Sequence, residues 1–131
     1  MSTQIGAKSA VLIQCPPAPS GAFSISLQSS TPIDVFYLDE ENAKSLKETG
    51  DFKNQSNILY KKLKTTSLND TIIGFYKSSY FALVNLSETE ATCNFSISLI
   101  QLPSRASSTS ACGTTGGYSG VSGYGITTEG E

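Results

Sequence analysis

Alternating apolar and polar residues make positions 80–102 the most strongly patterned part of the chain. From position 93 to position 99 every second side chain is apolar, and the residues between them are Asn or Ser. Because successive side chains of a strand point to opposite faces, this pattern predicts a half-buried β-strand. A shorter apolar run at 80–84 precedes a polar loop, so the two segments are expected to form an antiparallel pair.

The motif FSISL occurs twice, at 23–27 and at 95–99. The alternation within each copy predicts a strand with one apolar face, and the two strands are expected to lie in opposing layers around one interior. The residues expected to meet in that interior are Phe23, Ile25, Phe95 and Ile97.

Further apolar segments complete the pattern of an all-β chain. The predicted strands are 11–15, 23–27, 33–38, 57–63, 71–76, 80–84 and 93–99. Residues 65–70 are expected to form a turn, and Gly74 marks a bulge or a close backbone approach. About seven short strands separated by turns predict an antiparallel, jelly-roll-like β-sandwich.

One short surface helix is predicted at DEENAKSLKETG, residues 39–50. Asp39 is a good N-cap, acids follow in the first turn, and Gly50 is suited to end the helix. Ala43 and Leu46 are the residues available to anchor it. A calcium site is the less favoured interpretation of the acids at 39–41, because the glycine and the further oxygen ligands of a calcium loop are missing.

The 131 residues are expected to form one domain with two appendages. Residues 1–10 form an N-terminal arm and 11–102 the β-sandwich. Residues 103–131 are rich in Ser, Thr, Gly and Tyr, and their low apolar content predicts a flexible tail. The alternative is an interaction arm that adds a strand to a neighbouring subunit, with Tyr118 and Tyr124 as anchors.

Charge and composition exclude several classes of function. The net charge of −2 argues against nucleic acid as a partner, and the absence of histidine excludes Ser-His-Asp and Cys-His triads. We expect no enzyme activity and no cofactor, because the acids at 34–51 occupy helix-start and linker positions. The one cationic cluster, Lys61, Lys62 and Lys64, is interpreted as a solvated strand face or as a contact for an anionic surface.

Three cysteines are too few and too scattered for a structural zinc site. Cys93 shares the apolar side of its strand and is expected to be a buried thiol, with a Cys15–Cys93 disulfide as the alternative.

No leader or membrane-spanning segment is recognised, so the cytoplasm is the default location. Four sequons keep the secretory route open: Asn54, Asn69, Asn85 and Asn94.

Over residues 11–102 the chain resembles the GOLD domain and the prepeptidase-C-terminal type of β-sandwich. The similarity lies in the segment IDVFYL at 33–38, the short acidic helix after it, and YFALVN at 80–85. The resemblance implies a binding or accessory module without catalytic residues. GOLD proteins carry a paired cysteine and a following transmembrane helix, and this chain has neither in the expected form. Asn85, which ends the second segment, is expected to cap the following turn.

Three functions are compatible with these observations. The first is a non-catalytic accessory or assembly module that acts through protein–protein contacts or self-association, in trafficking or a multi-subunit complex. The second is a jelly-roll subunit of a larger shell such as a viral capsid. The third is a lipid- or carbohydrate-binding module, with membrane contact no more than peripheral. Its aromatic platforms would be Tyr37, Tyr60, Tyr76 and Tyr80.

Overall fold

The fold is built on one unusually long strand that pairs with three others. The computed structural model describes residues 2–18, 21–101, 105–106 and 112–119. Its elements are β1 Ser2–Ile5, β2 Ser9–Cys15, β3 Gly21–Asp39, α1 Glu40–Thr49, a 3-10 turn Gln55–Asn57, β4 Tyr60–Ile73, β5 Ser79–Asn85, β6 Ala91–Gln101, β7 Arg105–Ala106 and β8 Gly113–Ser119. All strand pairings are antiparallel. The predicted all-β antiparallel fold with one short helix is therefore confirmed.

Strand β3 connects two halves of one curled sheet. It pairs with β6 over residues 21–29 and with β5 over residues 34–39, while β4 follows its other side. The strand order is β1-β6-β3-β5-β2-β8, with β7 beside β6. The register between β3 and β4 shifts on both sides of Ile33. Such shifts bend a β-hairpin, and the two halves then pack face to face like the layers of a sandwich.

Several predicted strands are merged in the structure. Segments 23–27 and 33–38 are parts of β3, and 57–63 and 71–76 contribute to β4. The predicted turn at 65–70 is wrong, because these residues continue β4 and pair with β3. The chain bends instead at Lys64, whose φ is 53° and whose backbone N–H donates to buried Asp34 Oδ1 at 2.8 Å. A side chain distant in sequence therefore stabilises the bend, and local composition does not reveal it.

The strand pairings also differ from the prediction. Segments 80–84 and 93–99 are not partners, because β3 lies between β5 and β6. The two FSISL segments are neighbours in one half rather than members of opposing layers, with Ile25 directly opposite Ile97. Their apolar side chains nevertheless share one interior, since Phe23, Ile25 and Phe95 are buried and Ile97 packs against the same cluster.

The N-terminal residues belong to the sheet. The prediction of a loose arm at 1–10 is wrong for the residues described, because β1 pairs with β6 and β2 already begins at Ser9. Ile5 is 1 % exposed and joins the main core. Burial of this one large apolar side chain outweighs the polar character of its neighbours.

Two apolar cores lie on opposite sides of β2, β5 and the second half of β3. The main core contains Phe23, Tyr37, Phe81 and Phe95 between the two sheet halves. The second lies under α1, where Ala43 and Leu46 are buried as predicted. Both predicted helix caps are confirmed, since Asp39 Oδ1 accepts the Asn42 N–H at 2.9 Å and Gly50 adopts a φ of 77°. The helix therefore covers one outer face of the sheet.

Gly74 makes the close backbone approach that its position in a strand pattern suggested. A Cβ at this residue would lie 2.5 Å from Ala18 Cβ and 2.6 Å from the Ala18 carbonyl oxygen. The Gly74 N–H donates to the Gly21 carbonyl at 2.9 Å, which holds the two segments together. A side chain therefore has no room here.

Gly74→Ala is expected to lower the free energy of unfolding by about 1–3 kcal/mol, because the Ala18 backbone would have to move. Gly6→Ala is the matched control, since its new Cβ would lie 3.4 Å from Ser9 Oγ, in ordinary contact. Urea unfolding followed by circular dichroism measures both variants. Equal stability of the two would contradict the close approach.

Part of the C-terminal segment is a strand. Residues 113–119 form β8, which pairs with β2 of the same chain. The described part of the predicted flexible tail is thus ordered, and its strand is added to its own sheet rather than to a neighbour. Tyr118 lies opposite Ala10, and Tyr124 falls outside the described residues.

The cysteine pairing differs from the predicted alternative. Cys112 forms a disulfide with Cys15, so the alternative of a Cys15–Cys93 bond is wrong. The prediction that Cys93 is a buried thiol is confirmed.

Candidate functional site

The outer face of β3, β4 and β6 is a grid of uncharged polar side chains. Ser98, Ser24 and Thr71 lie side by side in one row, and Ser96, Ser26 and Asn69 form the next. Adjacent strands are about 4.8 Å apart and alternate residues about 7 Å apart, so the hydroxyl and amide groups are regularly spaced. They line an open depression of about 450 Å³. No helix covers this face within the described part of the chain.

Asp70 is the one acid that lines this depression, and its carboxylate is already engaged. Tyr60 donates its hydroxyl hydrogen to Asp70 Oδ2 at 2.8 Å, and the Thr71 N–H donates to Oδ1 at 2.9 Å. Burial of the tyrosine, followed by its hydrogen bond to the Asp70 carboxylate, raises the pKa of Tyr60 above its ordinary value. This arrangement keeps Tyr60 protonated and fixes the start of β4 against its later part.

The tyrosines proposed as aromatic platforms are not brought together. Tyr37 is fully buried, and its hydroxyl oxygen accepts from Ser79 Oγ at 2.7 Å and from the Phe75 N–H at 3.1 Å. Burial raises the pKa of Tyr37, while those hydrogen bonds oppose the shift. Tyr60 packs partly on the main core and Tyr80 on the second. Of the four, Tyr76 alone is mainly exposed, at 62 %, and Lys77 lies over its ring.

A second depression, of about 420 Å³, lies where α1 crosses β2 and β5. Its floor includes Leu12, Ala43 and Tyr80, and its rim carries charges of both signs on α1. Burial and the nearby Glu40 raise the pKa of Tyr80. The mixed rim does not select a ligand of one charge.

The three lysines of the predicted contact cluster are exposed and lie on β4. Lys61 is opposite Phe36 and Lys62 is opposite Val35, so their side chains leave opposite faces of the same strand. These lysines have no ion-pair partner among the residues that the structure describes. In the same part of the chain β4 pairs with β3 alone, which leaves its other edge open. The cationic cluster therefore borders a free strand edge.

Asn85 has a larger structural role than the predicted turn cap. Its Oδ1 accepts from the Ser87 N–H at 3.0 Å and from Ser87 Oγ at 2.7 Å, which confirms the cap. In addition, its Nδ2 group is 2.8–3.0 Å from the carbonyl oxygens of Ile5, Gly6 and Thr89. The residue is fully buried. It joins the N-terminal loop to the β5–β6 connection, so it is not an open ligand site.

The other sequons differ from Asn85 in exposure. Asn54, Asn69 and Asn94 are exposed, the last two within strands.

The calcium interpretation of the acids at 39–41 receives no support, because the Asp39 carboxylate caps α1. Among the described residues no group of three or more His, Cys, Asp or Glu side chains is placed to hold a metal ion.

No protein-family model matches the sequence, and no curated protein matches it. The resemblance to GOLD domains therefore stays a prediction. Within the described residues, no helix has the length and apolar character needed to cross a membrane.

Proposed function

We propose that this chain is a non-catalytic β-sandwich module that acts through protein–protein contacts, as an accessory or assembly subunit. In this proposal an extended segment of the partner pairs with the free edge of β4. The observation that supports it is the open side of this 14-residue strand, which pairs with β3 alone within the described part of the chain. Unpaired backbone N–H and C=O groups on such an edge accept an added strand.

The two ends of β4 differ in a way that favours one kind of partner. Lys61 and Lys62 are exposed near its start, and Ile73 is 82 % exposed at its end. Residues 65–73 contain no lysine or arginine. An antiparallel partner strand would therefore place acidic residues beside the lysines and an apolar residue near Ile73, at its opposite end.

Lysines also protect strand edges from unwanted pairing. Protection alone predicts that removing the positive charges increases nonspecific association. Recognition of an acidic segment predicts that the same change weakens binding of that segment. The two explanations therefore differ in the sign of the effect.

The test is selection of extended peptides from a random display library on the immobilised protein. Enriched sequences are expected to alternate β-branched with polar residues and to carry acids toward the C-terminus. For a selected peptide, the double variant Lys61→Glu/Lys62→Glu is expected to weaken binding by about 5- to 30-fold at low salt, from exposed charge pairs of about 0.2–1 kcal/mol each and the new repulsion. Fluorescence anisotropy at two salt concentrations measures the change.

Lys44→Glu/Lys47→Glu is the matched control, because it reverses two charges on α1, away from the β4 edge. Lys64 is left unchanged, since its left-handed backbone belongs to the bend of β4. If no peptide is enriched, or if both double variants weaken binding equally, the β4 edge is not the contact surface.

A further inference from the structure

Strand β8 covers the edge of β2, a strand whose central side chains are apolar. Four consecutive residues of β2, from position 10 to position 13, are 7 % exposed or less. Val11 and Ile13 belong to the main core, and Ala10 and Leu12 belong to the core under α1. With β8 removed, β2 would present open backbone groups between two apolar faces. Such an edge is a template for pairing with another strand.

The amino-acid composition of β8 does not favour a stable strand. β8 reads GTTGGYS, with three glycines in seven residues, and glycine inside a strand contributes no side chain to packing. Its pairing with β2 is also interrupted by a register shift between Leu12 and Ile13. Backbone hydrogen bonds are therefore supplemented by the covalent link between Cys112, immediately before β8, and Cys15, at the end of β2.

The two halves of the disulfide differ in burial. Cys15 is fully buried, whereas Cys112 is only partly buried, so attack by an external thiolate is expected at the sulfur of Cys112. The thiolate bonds to that sulfur, the bond between Cys112 and Cys15 breaks, and the Cys15 sulfur leaves and takes a proton. A second molecule of a small thiol then attacks the mixed disulfide and releases Cys112. In total, the protein disulfide is reduced to two thiols while two small thiols are oxidised to one disulfide.

The remaining cysteine does not substitute for either partner. Cys93 is buried in β6, where its thiol contacts Ser29 Oγ at 3.4 Å, and burial raises its pKa. A buried thiol held in its protonated form is a poor nucleophile for exchange. Reduction therefore leaves β8 without a covalent anchor.

We propose that the Cys15–Cys112 disulfide is a redox-controlled latch, and that reduction allows the β2 edge of one copy to accept β8 of a second copy. The second copy is the occupant that the structure favours, because an identical β8 brings the same register that this strand already has on β2. Exchange of an identical element is a low-cost route to a dimer.

The experiment compares the oxidised protein, the protein reduced with a phosphine, and Cys112→Ser, by native mass spectrometry and light scattering over a concentration series. The oxidised form is expected to be monomeric, and the other two to form dimers that exchange subunits with isotope-labelled copies. Amide exchange of β2 in dilute reduced protein is expected to be at least tenfold faster than in the oxidised form. A synthetic peptide of residues 113–119 is expected to block dimer formation.

Cys93→Ser is the control, because it removes a thiol and leaves the latch intact. If Cys112→Ser does not fold, phosphine reduction of the folded wild-type protein gives the same comparison. Monomers with unchanged β2 protection after reduction would overturn the proposal, as would equal dimer formation in the oxidised form. Lys61→Glu/Lys62→Glu is expected to leave strand exchange unaltered, so failure of the β4 proposal and failure of the latch are distinguishable.

Discussion

Replacing Asn85 by alanine is expected to lower the free energy of unfolding by about 3–5 kcal/mol, among the largest losses for a single polar side chain. The change removes the Nδ2 group that donates to the carbonyl oxygens of Ile5, Gly6 and Thr89. It also removes the Oδ1 atom that accepts from the Ser87 N–H. Because Asn85 is fully buried, water does not replace these partners without opening the structure. Urea unfolding at several protein concentrations measures the loss.

Asn94→Ala is the matched control for this prediction. Asn94 also belongs to a sequon, but it is exposed on β6, so its removal is expected to change stability by no more than about 0.5 kcal/mol. Amide exchange adds a local readout, since β1 and the loop at 86–90 should lose protection in Asn85→Ala before the rest of the sheet does. A loss below about 1 kcal/mol would mean that the buried carbonyls find other donors.

Local pattern located most of the elements but not their partners. Period-two alternation located β6 and the first part of β3, short apolar runs located β2 and β5, and the cap residues located both ends of α1. Pairing was not predictable in the same way, because every strand with one apolar face satisfies the same pattern. The continuity of β4 was missed because residues 65–70 have turn-like composition, and only their pairing with β3 holds them extended.

The candidate surfaces were predictable only in part. The exposure of Lys61, Lys62 and Lys64 follows from their sequence, whereas the free edge beside them depends on which strand β4 pairs with. Three cysteines allow three pairings, and the observed one requires β8 to return to β2, across a sequence separation of 97 residues. The polar contacts of Asn85 likewise join segments about 80 residues apart.

Binding at the two proposed contact edges is expected to depend on different conditions. The β4 edge is open in the described part of the chain and carries exposed charge, so its binding should depend on salt. The β2 edge is apolar and closed by β8, so its availability should depend on the state of the disulfide. Disulfides persist in oxidising compartments and are rare in the cytosol. A reducing compartment would therefore open the latch, and an oxidising compartment would keep it closed.

Phe81→Ala is expected to lower the free energy of unfolding by about 3–5 kcal/mol, because it removes the ring that joins the two halves of the sheet. The Phe81 ring stacks on Tyr37 with centroids 4.6 Å apart and meets Phe23 and Phe95 edge-on at 6.0 and 5.9 Å. Phe23 and Phe95 lie in the half with β6, whereas Phe81 lies on β5 in the other half. Alanine would leave a cavity between the two halves, at the ring contacts that join them.

Tyr76→Ala is the control for this change, since it removes an aromatic ring that is 62 % exposed, and it should cost no more than about 0.5 kcal/mol. Phe81→Leu should cost less than Phe81→Ala, because most of the volume is retained. Denaturant unfolding gives all three values, and near-ultraviolet circular dichroism reports the packing of the aromatic cluster. If Phe81→Ala cost no more than Tyr76→Ala, the two sheet halves would not depend on this cluster, and their face-to-face packing would need another cause.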